Sequence, residues 1–330
     1  MNIFLQILLL IVGFVALIKG ADWFVDGASN VASHFKISKM IIGLTIVAFG
    51  TSAPEFAISV QSLLTGNTDM LLGNVIGSNI LNILLILGIA AVIRPIRVKH
   101  ATVKKELPIT ILFTTLFVTL IADHVFGAGG DNFSRQDGVV MVIFFLIFVY
   151  YLVMTIRRNK QKAKREAKRK PEVVEAPTMP LFKAILLAVV GLAGIIVGSD
   201  LVVNNASGIA GAMGISEKII AMTVVAIGTS LPELVTSVAA ARKGETDIAI
   251  GNIVGSNIFN LGIVTGLPVA MIGGIPNVAF SAIDVVMILA AAVLLYFFAN
   301  NDRKIDRKEG AVFLLIFLAY YGYLIATAIN

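Results

Sequence analysis

The sequence predicts an all-α integral membrane protein of ten transmembrane helices, arranged as two inverted five-helix repeats with helices 2, 3, 7 and 8 broken. Three observations predict this. The 330 residues are 58% hydrophobic and 14% charged, with a mean hydropathy of +0.93, whereas soluble domains lie nearer about half apolar and a quarter charged. The chain repeats itself without a gap at an offset of 178 residues: residues 43–82 and 221–260 agree at 20 of 40 positions. Basic residues crowd into alternate connections between the apolar segments.

The apolar segments fall at roughly 2–23, 38–63, 69–92, 107–123, 138–156, 181–203, 216–241, 246–273, 280–299 and 309–328. Most approach the ~20 residues that cross a bilayer as helix. Backbone polar groups in lipid must be satisfied internally, by helix or closed barrel, and none of these segments alternates apolar with polar as barrel strands do. The first segment lacks the basic leader of a secretory signal, and its counterpart begins mid-chain near Leu181, so it reads as a mature helix. Residues 1–156 form the first five-helix repeat, 157–180 a charged, Pro-containing linker, and 181–330 the second repeat. Five is odd, so the second repeat enters the membrane from the opposite side. Equivalent residues are then related by a pseudo-two-fold axis in the membrane plane.

Of 26 basic residues, 23 lie in or beside connections 1–2, 3–4, 5–6, 7–8 and 9–10. The positive-inside rule makes that side, with the linker, cytoplasmic and puts both termini outside a multi-pass cell-membrane protein. Topology therefore accounts for the net charge of +6, and no nucleic-acid partner is expected. There are no cysteines, which excludes disulfides, thiolate metal sites and thiol catalysis. No nucleotide-binding loop, nucleophile–base pair or His metal site occurs in the repeats, so an enzyme is not expected and an ion gradient is the expected energy source. Neither a cofactor nor an obligate protein partner is implied beyond the lipid bilayer.

The repeated identities are mostly functional in type. Gly50, Thr51, Ser52, Pro54 and Glu55 recur as Gly228, Thr229, Ser230, Pro232 and Glu233; Asn74, Ser78 and Asn82 recur as Asn252, Ser256 and Asn260. A charged group in mid-membrane costs about 2.5–3.5 kcal/mol on insertion scales and marks an ion path. Pro54 and Pro232 lack an N–H and, with the glycines, favour unwinding, which would release carbonyls around Ala48–Thr51 and Ala226–Thr229. Thr51 and Ser52 share the helix face of Glu55. Asn74, Ser78 and Asn82, spaced i, i+4, i+8, line one face of the next helix, with packing as the plainer role for Asn74 and Asn252. Carboxylate, hydroxyl, amide and carbonyl oxygens without sulfur or imidazole suit hard cations such as Ca²⁺ or Na⁺.

At these motifs the chain resembles the calcium/cation antiporter superfamily in its sodium/calcium exchanger branch, particularly short prokaryotic members. GTSAPE and GTSLPE, each followed by GNxxGSNIxN, are similar to the family's two alpha repeats. The resemblance implies a site shared between one Ca²⁺ and several Na⁺. Its main ligands would be Glu55 and Glu233, assisted by Thr51, Ser52, Thr229 and Ser230. Ser78, Asn82 and Ser256 would complete the shell with the Ala48 and Ala226 carbonyls; Asn260 belongs to the same candidate group. Helices 1 and 6 would slide across the other eight to alternate access. Many relatives carry an Asp where this chain has Asn260, and potassium-dependent members use it, so potassium coupling is not expected. A Ca²⁺/H⁺ antiporter is the alternative transporter, since acids alone can couple protons, and a gated cation channel a more distant one.

Weaker features are His34, His100 and His124, read as interfacial; Trp23, read as an interface anchor; and Asp69 and Asp247, read as helix N-terminal charges. Asp69, with Asp123 and Asp131, is expected to make the outer vestibule mildly cation-attracting.

Overall fold

The computed structural model describes residues 3–122, 132–166, 177–214, 224, 226–276, 278 and 282–329. Asp123, His124, Asp131, Lys218 and the linker stretch 167–176 lie outside the described residues. Among the described residues the chain is helical apart from short turns, a ribbon of two two-residue strands and one isolated bridge. In order, the helices are α1 (Ile3–Phe35), α2 (Lys39–Thr51), α3 (Ala53–Leu64), α4 (Thr68–Ile93), α5 (His100–Lys104), α6 (Glu106–Ile121) and α7 (Arg135–Glu166). The second half holds α8 (Leu181–Ala212), α9 (Ala226–Thr229), α10 (Leu231–Lys243), α11 (Thr246–Met271), α12 (Ala282–Asn301) and α13 (Arg307–Ile329). Strands β1 (Ile96–Arg97) and β2 (Lys304–Ile305) pair antiparallel.

Among the described residues seven helices are long and apolar enough to cross a membrane, or eight when α2 and α3 count as one bent span. The fourth expected span, α6, has 16 residues. The start of the seventh lies outside the described residues. The outer helices turn Phe4, Val15, Leu146, Val189, Phe297 and Leu315 outward, as lipid requires. The interior is formed mainly by α4 and α11, whose apolar residues are almost all buried on both sides of each helix.

Sequence chemistry explains the interruptions. Pro54 sits in the first turn of α3 and Pro232 in that of α10, where a missing N–H is tolerated; α2 and α3 meet at 46°. The expected breaks in helices 3 and 8 require correction. α4 and α11 continue, and their hydrogen bonding shifts to π register over Asn82–Leu87 and Asn260–Thr265. No proline follows closely in α4, and in α11 Pro268, which cannot donate to Val264 O, is accommodated without breaking the helix. Elsewhere, capping boxes start helices: Ser134 with Asp137 before α7, and Asp306 with Glu309 before α13. Accepting the Glu309 and then the Lys308 N–H holds the Asp306 carboxyl below its ordinary pKa.

Helices α1 and α8 lie antiparallel with their backbones touching. Gly13 meets Gly198, Gly20 meets Gly191, and Gly27 meets Ala184 and Ala188. A Cβ added at Gly191 would stand 2.4 Å from Phe24 N, and one at Gly27 2.4 Å from Ala188 N. Small residues at this seven-residue spacing are what permit the approach.

The connections sort to two ends. At the basic end Lys39 pairs with Glu245 at 2.8 Å, Lys99 pairs with Asp247, and β1 meets β2. There too the Thr178 N–H donates to Asn30 Oδ1 at 2.9 Å. Connections 1–2, 3–4, 7–8, 9–10 and the end of 5–6 thus share one face. At the other end Phe133 bridges Ile275, and Arg135 donates to the Ile272 carbonyl at 2.8 Å.

Candidate ion-binding site

The two bends bring α2–α3 and α9–α10 together with the middles of α4 and α11. Thr51, Ser52, Glu55, Ser78, Asn82, Thr229, Ser230, Glu233, Ser256 and Asn260 are all buried. Ala48 is buried at the start of the turn that ends at Thr51, and Ala226 opens α9. Glu55 and Glu233 stand close enough for their charges to interact.

Hydrogen bonds cross between the halves. Ser52 donates to Glu233 Oε1 at 2.8 Å, and Ser256 reaches the same oxygen at 3.4 Å. Thr51 donates to Asn252 Oδ1 at 3.1 Å, mirrored by Thr229 to Asn74 Oδ1 at 3.2 Å. Asn82 Nδ2 donates to Asn257 Oδ1 at 2.9 Å, and Asn257 Nδ2 reaches the Asn79 carbonyl at 3.3 Å. Asn74 and Asn252 therefore brace the threonines, which fits their plainer packing role.

A second set of buried polar atoms has no protein partner: both Glu55 oxygens, Glu233 Oε2, Ser78 Oγ, Ser230 Oγ, Asn82 Oδ1 and both polar atoms of Asn260. Buried polar groups are normally hydrogen-bonded, and an unpaired one costs about 1–3 kcal/mol, more when charged. Their concentration here is that of a site whose oxygens are kept for something other than protein. The donor set, carboxylate with hydroxyl and amide oxygen, fits a hard cation. Among the described residues no cluster of three or more His, Asp or Glu occurs, so any cation here meets two acids only.

The carbonyl expectation holds in part. Ala48 O is not released: it accepts the Ser52 N–H at 3.0 Å and the Thr51 hydroxyl at 3.4 Å. In the second half the Ser230 N–H turns to Ile227 O at 3.1 Å, leaving Ala226 O without it. Pro232 cannot donate to Gly228 O, and Ser199 of α8 does so instead at 2.9 Å. Sequence reasoning missed Ser199 because its counterpart is Ala21. It also missed Ser237, which accepts from Asn252 Nδ2 at 3.0 Å, although the repeated Ser59/Ser237 pair signalled it. His34 meets the Met179 carbonyl at 2.7 Å near the basic end, and His100 opens α5, both away from the acids. Trp23 is exposed on α1, as an interface anchor would be.

Comparison with known proteins agrees with this geometry. The family model described as sodium/calcium exchanger protein matches residues 5–154 and 183–326. The inner membrane protein YrbG of Escherichia coli K12 is 38% identical over 320 residues, covering 96% of this chain and 95% of the relative. The sodium/calcium exchanger MaX1 of Methanosarcina acetivorans is 30% identical over 338 residues, covering 95% and 96%. A solved structure of the sodium-calcium exchanger NCX_Mj, soaked with Na⁺ and Ca²⁺, superposes with a TM-score of 0.79 at 34% identity, covering 98% of each chain.

Proposed function

This chain belongs to the sodium/calcium exchanger protein family, and we propose that it is a secondary active antiporter exchanging about three Na⁺ for one Ca²⁺ by alternating access. One observation carries the reading. Glu55 and Glu233 are fully buried mid-chain acids, and both Glu55 oxygens and Glu233 Oε2 have no protein partner. In this reading they are the principal ligands. Thr51, Ser52, Thr229, Ser230, Ser78, Asn82, Ser256 and Asn260 form the polar wall, with the Ala48 and Ala226 carbonyls completing it. Ca²⁺ takes 6–8 oxygens and tolerates irregular geometry, so a wall of neutral oxygens around two acids suits it. The same wall divides among several Na⁺, which need less charge each.

The proposed topology is ten spans in two inverted halves, 1–156 and 181–330, joined by a cytoplasmic linker at 157–180 in a cell-membrane protein with both termini outside. The gathering of the basic connections at one end supports it. Proteoliposomes loaded with Na⁺ and diluted into choline with ⁴⁵Ca²⁺ test the function. Calcium should accumulate above its equilibrium level and fall when Na⁺ is equalised. Accumulation driven by a pH gradient alone would make it a proton exchanger, and purely downhill flux a channel.

A further inference from the structure

We propose that Lys243, Asp22 and Asp26 form a one-sided latch that biases the carrier toward the state closed at the basic end; this rests on the alternating-access reading above. Lys243 Nζ lies 2.7 Å from Asp26 Oδ1 and 3.7 Å from Asp22 Oδ1, and donates to the Asp22 carbonyl at 2.7 Å. Two residues on, Glu245 accepts from Ser29 at 3.0 Å and from Lys39 at 2.8 Å. The turn after α10 therefore grips the last turns of α1 at several points, and α1 packs along α10.

Inverted repeats allow a control that most proteins lack. Moving each residue by the repeat offset of 178 places Asp200, Asn204, Ser207, Thr65 and Asn67 at the equivalent positions of the other end. Thr65 and Asn67 are uncharged where Lys243 and Glu245 are charged, and Lys39 is matched by Glu217, which lies outside the described residues. Asp200 and Asn204 satisfy each other instead, Asn204 Nδ2 donating at 2.9 Å. Ser207 Oγ is buried without a partner, where Ser29 has Glu245. The acids in α1 cannot do this. Asp22 and Asp26 are like charges at i, i+4, which repel along a helix face, and the Lys243 ammonium between them removes the repulsion.

The energetic consequence follows from which contacts can trade places. Ser52 bonds Glu233 and Asn252 bonds Ser237, while the equivalent atoms of Ser230, Glu55, Asn74 and Ser59 are unpaired. These residues exist in both halves, so in the opposite-facing state one set forms as the other breaks, and the sum is unchanged. Thr65 stands where Lys243 would and carries no charge, so the Lys243 contacts are not replaced by their repeat equivalents when they break. They therefore contribute to one state only.

The chain's lack of cysteines gives a clean background for spin labelling. Phe35→Cys with Arg242→Cys reports the basic end; Leu64→Cys with Met213→Cys, the equivalent pair, reports the other. All four positions are exposed. In liposomes, pulsed dipolar distances should show the two ends moving in opposition between Na⁺ and Ca²⁺. Lys243→Gln should shift the population ratio about 1.5- to fivefold toward opening at the basic end, the range for a partly exposed ion pair. Asp22→Asn with Asp26→Asn should do the same without adding to Lys243→Gln. Lys243→Asp with Asp26→Lys should restore the ratio. Raising choline chloride should move the parent protein toward the mutant ratio and shift Lys243→Gln less, because the variant has already lost one of the charge contacts that salt screens. Two populations with a ratio unchanged in Lys243→Gln would overturn the latch and leave the carrier standing. A single distance unmoved by either ion would overturn alternating access and the latch with it.

Discussion

Glu55 and Glu233 occupy equivalent positions in sequence but not in hydrogen bonding: Glu233 receives Ser52 and Ser256, whereas neither oxygen of Glu55 has a protein partner. Both are nevertheless indispensable in the proposed chemistry, since each is one of only two charges opposing a divalent ion. Glu55→Gln and Glu233→Gln should each nearly abolish calcium exchange, because the cation would be left with uncompensated buried charge. Flux at matched incorporation, with a size-exclusion profile to confirm folding, checks this; wild-type exchange in either variant would refute the site. Asn260 stands where the family resemblance implies an acid in potassium-dependent members. Exchange should be unchanged when external K⁺ is replaced by choline at clamped voltage, and a large drop would show that the neutral amide does not remove potassium coupling. The acids, hydroxyls and asparagines were legible because a polar residue repeated within an apolar segment has little reason to be there except chemistry. The difference between Glu55 and Glu233 was not legible, because identical residues in the two halves carry no sign of which one its neighbours will hydrogen-bond. Ser199 was hidden for a related reason: its partner is a backbone carbonyl, and its repeat equivalent Ala21 has no hydroxyl to point to it.

Among the elements, the proline bends and the π segments illustrate what local chemistry does and does not dictate. Pro54 and Pro232 lack a donor, so some interruption before them is obligatory, and the sequence reading located both bends. The π turn at Asn82–Leu87 carries no such obligation, and the one at Asn260–Thr265 only that Pro268 cannot donate to Val264 O. There the choice of hydrogen-bond register depends on neighbours, as when Thr265 Oγ1 caps the Asn260 carbonyl at 2.8 Å. Breaks were expected, and continuous helices with an inserted residue's worth of slack resulted. The pairing of α1 with α8 was likewise unreadable in advance, although its glycines were in plain view, because many membrane helices carry glycine. Their role here is testable. Gly191→Val would drive a side chain into the Phe24 backbone, and overpacking of this kind costs about 1–3 kcal/mol. Its melting temperature in detergent should fall by several degrees, whereas Gly322→Val, with open space around the added carbon, should leave it unchanged.

For the whole molecule, charge bookkeeping across a cycle sets the voltage dependence. Two ionised glutamates give the site −2; one Ca²⁺ brings it to 0, and the proposed three Na⁺ bring it to +1. Moving that charge through the full potential is worth about 2.3 kcal/mol per 100 mV, so a negative interior should favour sodium entry and calcium exit. Valinomycin-clamped proteoliposomes should show a reversal point that moves with voltage; a fixed reversal point would mean an electroneutral cycle. The helical architecture and the gathering of basic connections at one end were legible at this scale, since lipid imposes both. How the helices pair in space was not, since that depends on side-chain volumes meeting across the bundle. One such pairing carries a consequence for energy conversion. Because α1 and α8 touch through backbone atoms at Gly20 and Gly191, neither can tilt without carrying the other. In the proposed cycle α1 guards the basic entrance and α8 the opposite one. A stiff lever of this kind has a single pivot, so lifting one arm lowers the other, and no arrangement leaves both entrances clear. In the proposed cycle ions would then have no short circuit through the protein, and the gradient would be spent only in whole exchange cycles.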